Sequence, residues 1–297
     1  MSEEKLPVVS SNKSFPGFLK ETNSEWNGPF CFIQGADTQL GMIEEYIEKR
    51  PNYGWEQEME LTRKAIVAVN NLSPKPRFFV VCGDLIHAMP GTSLRLPQEK
   101  DFIRLFKELS PDIPLICVCG NHDVGNTPTP DSIQLYREKF GDDYFTFYCS
   151  GVMFIVINSQ YFEDASLVPA LAAEQESWLE AQLEEAKNGN YKHVIIFQHI
   201  PWFLENPDES KIYFNLLPEI RQKWLPKFRD ANVNAIFCGH WHGNSGGFYH
   251  NIELVVTSAI GAQLRGDKSG FRIVTLGEDS VQHKYYDLDE VPQHIDL

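Results

Sequence analysis

Six side chains spread along the chain have the types needed to hold metal ions: Asp37, Asp84, Asn121, His199, His240 and His242. Carboxylate oxygen, amide oxygen and imidazole nitrogen together suit manganese, iron, zinc or magnesium, and not an ion that prefers thiolate. No cysteine stands at any of these positions. Each donor sits at or just beyond the end of an apolar run. The runs are PFCFIQG (29–35), RFFVVCGD (77–84), IPLICVCGNHD (113–123), KHVIIFQH (192–199) and NAIFCGHWH (234–242). His240 and His242 alternate as in an extended segment, which turns both rings the same way.

The apolar runs read as buried strands, hydrophobic throughout because both faces are covered. Between them, residues 55–72 place Met59, Ala65, Ile66 and Val69 at helical spacing, and SPKP follows as a breaker. Residues 98–109 read as a second helix. Strand, helix, strand, helix, strand implies a parallel sheet with helices packed on it. Ligands bind at the carboxyl ends of strands in such sheets, so the polar clusters should converge. Further on, 144–150 and 151–159 meet through Ser150-Gly151 as an antiparallel hairpin. Residues 173–188 form a helix with a solvated acidic face. Residues 216–231 form another, kinked or split at Pro226. The tail holds three strand candidates with no helix between them, an antiparallel portion. Residues 1–27 read as a loosely ordered arm and 28–297 as a single domain.

A chain of 297 residues with 42% hydrophobic and 23% charged residues is ordinary for a globular domain with a sizeable core. The formal net charge of −15 repels phosphate backbones and argues against a nucleic-acid partner. No run has the roughly 18 apolar residues of a membrane span, and MSEEKLPVVSSNK lacks the apolar centre of a secretory signal. A cytoplasmic protein without a membrane partner is expected. The six cysteines read as reduced core thiols. Cys82, Cys119 and Cys238 each precede the glycine of a donor motif, so they are expected to cluster beneath the site and offer a route to oxidative inactivation.

In order along the chain, Gly-Ala-Asp37-Thr-Gln39, Gly83-Asp84, Gly120-Asn121-His122-Asp123, His199 and Gly239-His240-Trp241-His242 resemble the motif set of the calcineurin-like metallophosphoesterase superfamily. Any one of these motifs is weak, but five in order after strands are not a chance pattern. The resemblance implies an α/β fold, a four-layer αββα sandwich of two mixed sheets flanked by helices. It implies two divalent metal ions, with Asp84 shared between them. Asp37 and His242 would complete one site, and Asn121, His199 and His240 the other. In such a pair the ions lie about 3.5–4 Å apart, and a metal-bridging hydroxide attacks phosphorus directly. His122 would be the general acid, with Asp123 orienting its ring. Gln39 departs from the pattern, where histidine is usual. It is either a weak neutral ligand or a hydrogen-bond partner of metal-bound water.

A closer resemblance covers nearly the whole chain, through stretches such as FFVVCGDLIHAMPG, GNHDVGNTP, FQHIPWFLE, GHWHGNSGG and VVTSAIGAQLRGD. It points to a subfamily regarded as cytoplasmic serine/threonine phosphatases, which also has glutamine after the first aspartate. The expected substrate is then a phosphorylated protein or a small phosphoester. Two alternatives stand beside it: a phosphodiesterase or nucleotide-diphosphate hydrolase of the ADP-ribose type, and a non-enzymatic scaffold. His87 reads as a neighbour of the site and not a ligand. Trp202, Phe203, Trp241, Phe248 and Tyr249 read as loop packing, with a hydrophobic substrate rim as the functional alternative.

Overall fold

The computed structural model describes residues 5–297. In chain order the elements are α1 (Lys20–Asn23), β1 (Phe30–Gly35), a π-helical turn (Ile43–Ile47), α2 (Glu56–Asn70), β2 (Phe79–Cys82), α3 (Arg95–Phe106), β3 (Leu115–Val118), α4 (Asn121–Val124), α5 (Pro130–Phe140), β4 (Phe145–Cys149), β5 (Val152–Val156), α6 (Gln160–Glu163), α7 (Pro169–Asn188), β6 (His193–Phe197), α8 (Pro218–Asp230), β7 (Ala235–Cys238), β8 (Ser245–Tyr249), β9 (Ile252–Val256), β10 (Gly270–Leu276) and β11 (Val281–Asp287).

The strands form two sheets, β11-β10-β1-β2-β3 and β4-β5-β6-β7-β9-β8. In the first, β1, β2 and β3 are parallel, and β10 and β11 join antiparallel. In the second, β5, β6, β7 and β9 are parallel, with β4 and β8 antiparallel at the edges. Side chains alternate between faces along every central strand. Phe30 and Phe32 of β1 and Val80 and Cys82 of β2 enter a core between the sheets, against Phe154, Phe197 and Phe237. Cys31, Ile33, Phe79 and Val81 point the other way, to Ile66 of α2 and Phe102 of α3. Met153, Ile155 and Ile196 face Leu179 of α7 and Trp224 and Phe228 of α8. Three apolar layers separating helix, sheet, sheet and helix are the expected αββα sandwich.

Several details differ from the sequence reading. The tail is not one antiparallel unit: β9 pairs parallel with β7 in the second sheet, while β10 and β11 pair in the first. Helix α8 is one continuous element through Pro226, so the split alternative falls away. Strand β8, Ser-Gly-Gly-Phe-Tyr, escaped notice because two glycines remove the apolar alternation. Helix α5 was also missed, despite Thr129 accepting from the Ser132 amide and Pro130 opening its first turn.

The segment before β1, expected to be a loosely ordered arm, lies against the edge strand β4. The Thr146 and Tyr148 amides donate to the carbonyls of Lys13 and Phe18. Phe15 is buried, 6.2 Å from the ring of Phe145. A covered edge has no free ladder to template association with another chain. Phe15→Ala is expected to destabilise the protein by about 3 kcal/mol in chemical denaturation, as buried phenylalanine truncations do. A loose arm would show no measurable loss.

Candidate metal centre

All the donor residues lie just beyond the carboxyl ends of parallel strands, on turns or, for Asn121, at the first position of α4. Asp37 follows β1, Asp84 follows β2, Asn121 follows β3, His199 follows β6, and His240 and His242 follow β7. The turns are tight and strained. Asp37, Gln39, Asp84, His240 and His242 all have positive φ, between 38° and 69°. A left-handed conformation at a non-glycine residue costs of order 1–3 kcal/mol, and such residues cluster at functional sites. The turns lock one another. The Asp37 amide donates to the Gly83 carbonyl at 3.0 Å, the Gln39 amide to the Asp84 carbonyl at 2.9 Å, and the His240 amide to Asp37 Oδ2 at 3.0 Å.

Two groups of three donors result: Asp84, His199 and His240, and Asp37, Asp84 and His242. Within each, the donor atoms lie within 4.8 Å of one another, and Asp84 belongs to both. Asn121 joins the first group, its Oδ1 lying 3.1 Å from His199 Nε2. Every expected ligand is therefore at one place. Backbone carbonyls set the ring orientations. His199 Nδ1 meets the Cys82 carbonyl at 2.8 Å, and His242 Nδ1 meets that of Ala262 at 2.6 Å. That leaves both Nε2 atoms for the site, near Asp84 and Asp37 respectively. His240 reverses the choice, with Nε2 on the Tyr213 carbonyl at 3.3 Å.

The residues fit cations. Asp37 Oδ1 and Gln39 Oε1 are buried and lack any hydrogen-bond partner, a costly condition unless a cation answers them. Burial pushes the Asp37 carboxyl well up, and the charge of Asp84 pushes it further. Burial acts the same way on Asp84, but His199, His122 and His240 outweigh it and hold that carboxyl well below its usual range. Burial lowers His199, and the carboxylates of Asp84 and Asp37 outweigh that, leaving it at about 9. Burial takes His242 down to about 4, and burial with the nearby His199 charge takes His240 well below its ordinary value. Both of those rings are neutral near pH 7 and ready to coordinate.

His122 is half-buried at the start of α4, its amide donating to Asp84 Oδ1 at 2.9 Å. Its Nδ1 is 2.5 Å from the His87 carbonyl, and the His87 ring stacks on it at 4.8 Å. Here the expectation for Asp123 is corrected. Among the described residues no hydrogen bond joins the Asp123 carboxylate to the His122 ring. It accepts from the Gly120 amide at 2.7 Å and the Leu85 amide at 3.1 Å, stitching the β2 turn to α4. The group that the His122 ring meets is the backbone carbonyl of His87, read above as a neighbour of the site. Gln39 Nε2 lies 3.3 Å from His87 Nδ1, so its free Oε1 points away from that contact.

The thiol expectation also changes. Cys82 lies in the core between the sheets, Cys119 on the helix side of the first sheet and Cys238 on the helix side of the second. They form no single cluster. Burial raises all three thiols far above their ordinary value, which disfavours the thiolate that begins an oxidation.

Residues 37–244, which hold every donor, match the family described as calcineurin-like phosphoesterase. The chain belongs to that family. It is 46% identical to "Serine/threonine-protein phosphatase CPPED1" of Mus musculus, over 95% of this chain and 91% of the relative. Among solved structures, purple acid phosphatase PPD1 from yellow lupin superposes with a TM-score of 0.64 at 10% identity, covering 91% of this chain and 53% of that one. A dimetal phosphatase from Danio rerio gives 0.59 at 16% identity, covering 88% of this chain and 100% of that one. These two likenesses concern the fold. Family membership goes with divalent metal ions, and the two donor groups are where this chain could hold them.

Two supporting residues had no sequence signal beyond their type. Arg95 donates to the carbonyls of His122 at 2.7 Å and Asp123 at 2.6 Å, tying down the end of α4, while Glu99 holds its Nε. Tyr213 braces the centre from outside, its hydroxyl 3.2 Å from Asn121 Nδ2. Glycines matter as much. A Cβ on Gly120 would overlap the Asp84 carboxylate and amide. Gly120→Ala is expected to weaken metal binding at least about tenfold, as loss of supporting shells does, measured by titrating the chelator-stripped protein with manganese. Asp123→Asn is expected to lower stability by about 1–3 kcal/mol, because a buried amide loses its acceptor. The same variant should leave the alkaline limb of the kcat/KM pH profile in place. A shift of about one unit or more there would restore the ring-orienting role.

Proposed function

We propose that this protein is a dinuclear metal-dependent phosphomonoesterase that acts on phosphoserine and phosphothreonine in proteins. The observation that carries the reading is the pair of donor groups sharing buried Asp84, with the His122 backbone amide donating to the same carboxylate and so placing that residue beside them. The protein substrate is supported by relatives at 46% identity over 95% of the chain that are named serine/threonine-protein phosphatases. Two divalent ions, drawn from manganese, iron, zinc or magnesium, would supply positive charge for the phosphoryl oxygens and acidify water.

The residues divide the remaining work. Asp37, Asp84 and His242 would hold one ion, and Asp84, Asn121, His199 and His240 the other. The unpartnered Gln39 Oε1 supports a place for it as a neutral oxygen donor beside Asp37. His122 presents Nε2, because its Nδ1 is committed to the His87 carbonyl. A proton delivered from Nε2 to the departing serine oxygen makes an alkoxide leave as an alcohol. Asp123 and Arg95 keep α4, and so His122, in register with Asp84. The reading includes a cytoplasmic location, supported by six cysteines that are all buried and unpaired. No helix among the described residues is long and apolar enough to cross a membrane.

His122→Ala is expected to keep its metal, by elemental analysis, while kcat on a phosphoserine peptide falls about 100- to 10,000-fold, the range for a lost general acid. The loss should be much smaller on 4-nitrophenyl phosphate, whose leaving group needs no proton. Equal losses on both would remove His122 from the acid role. Faster turnover of ADP-ribose or a bis-aryl phosphodiester than of any phosphopeptide would replace the phosphomonoesterase reading.

A further inference from the structure

Beside the candidate centre stands a wall of aromatic rings bearing one guanidinium. The Phe214 ring lies 5.3 Å from the His240 ring and 4.8 Å from that of Trp241. The Arg265 guanidinium carbon sits 3.9 Å from the Trp241 ring centroid and 5.1 Å from that of Phe214. Arg265 is thus one ring removed from a donor of the centre. Its own loop is fastened to that centre: the Leu264 amide donates to the His242 carbonyl at 3.1 Å, and the Ala262 carbonyl meets His242 Nδ1. Gly243 permits the approach, since a Cβ there would come within 2.6 Å of the Arg265 side chain.

The charge of Arg265 is unusual for this molecule. The side chain is exposed, and among the described residues no carboxylate lies within ion-pair distance of it. Most other arginines are paired: Arg50, Arg63, Arg95, Arg104, Arg137 and Arg229 each meet an aspartate or glutamate. In a chain of net charge −15, Arg265 is an exposed arginine without an ion pair that lies beside the centre. Apart from one long contact, Nη1 donating to the Leu264 carbonyl at 3.3 Å, the guanidinium stacked on Trp241 has no hydrogen-bond partner among the described residues. The guanidinium fork matches carboxylate and phosphate oxygens two at a time.

We infer that Arg265, on the Trp241–Phe214 wall, is a specificity-determining subsite for an anionic group next to the phosphorylated residue of the substrate. An extended chain advances about 3.3–3.6 Å per residue, so a position one to three residues from the phosphoserine spans the width of the Phe214 ring. The group received is a carboxylate or a second phosphoryl. The inference rests on the phosphoprotein reading above.

The test compares the metal-loaded wild type with Arg265→Ala and Arg265→Lys. The substrates are phosphoserine peptides flanked by alanine, by glutamate or by a second phosphoserine within three residues, with 4-nitrophenyl phosphate as the size-independent reference. The wild type should prefer anion-flanked over alanine-flanked peptides about tenfold in kcat/KM, mainly through KM, the scale of one hydrogen-bonded charge pair. Arg265→Ala should erase that preference. Arg265→Lys should restore only part of it, because an ammonium neither stacks nor forks. Preference for glutamate alone or for the second phosphate alone identifies the source of the anion. A wild type indifferent to flanking charge overturns the subsite. So does an Arg265→Ala loss of equal factor on every substrate, which would place Arg265 on the scissile phosphate. Failure of the wild type on all peptides, with aryl phosphate still hydrolysed, would instead sink the protein-substrate reading.

Discussion

Asp37 and Asp84 are both out of water, with donor atoms less than 5 Å apart through the group they share with His242. Two neighbouring carboxylates in a low-dielectric floor repel each other and lose their hydration, and each alone would be expelled or protonated. Much of the molecule is arranged around tolerating that pair. His199 lies against Asp84, the His122 and His240 amides point at the carboxylates, and one Asp37 oxygen is left bare for a cation. Metal ions held by these donors would convert this arrangement from a liability into a source of positive charge.

Holding the pair requires stiffness, and the sandwich supplies it from three sides. The inter-sheet core is filled with stacked and edge-on phenylalanines, such as Phe32 on Phe78 at 4.8 Å and Phe147 on Phe154 at 4.7 Å. Packing of that kind leaves little room for the strands to slide. The strained turns are therefore overdetermined, Asp37 and Gln39 being tied by their amides to carbonyls of the β2 turn and His240 by its amide to the Asp37 carboxylate. Around this floor lie loops that could carry selectivity. Tyr213, Phe214, Trp241 and Arg265 sit on loops, where chemistry can vary without disturbing the metal ligands.

Electrostatics separates the floor from the surface. The chain is strongly acidic overall, and the acidic face of α7 is answered only in part by lysines: Lys20, Lys223 and Lys227 pair with Glu185, Glu176 and Glu180. Such exposed pairs contribute little stability. An anionic substrate approaching this surface would gain attraction near the centre, where the proposed cations would sit and Arg265 lies. That contrast favours productive orientation over general adhesion.

Residue type and order alone determined a good deal. Continuous apolar runs ending in Asp, Asn or His announced buried parallel strands and placed six donors at their ends, because only a strand covered on both faces is apolar throughout. Recurrence of the five motifs in order was enough to name the family. Other features depended on pairing across the chain. That Asp123 serves the backbone and the His87 carbonyl meets His122 follows from which carbonyl happens to face the ring, and neighbouring positions in sequence do not reveal it. The split of the tail between two sheets, and the seating of residues 10–18 on β4, are likewise decided by which edge is left uncovered after the core has closed. Arg265 is the same kind of case. Its separation from His242 in sequence says nothing about Trp241 or Phe214, and only the folded loops bring a guanidinium onto those rings.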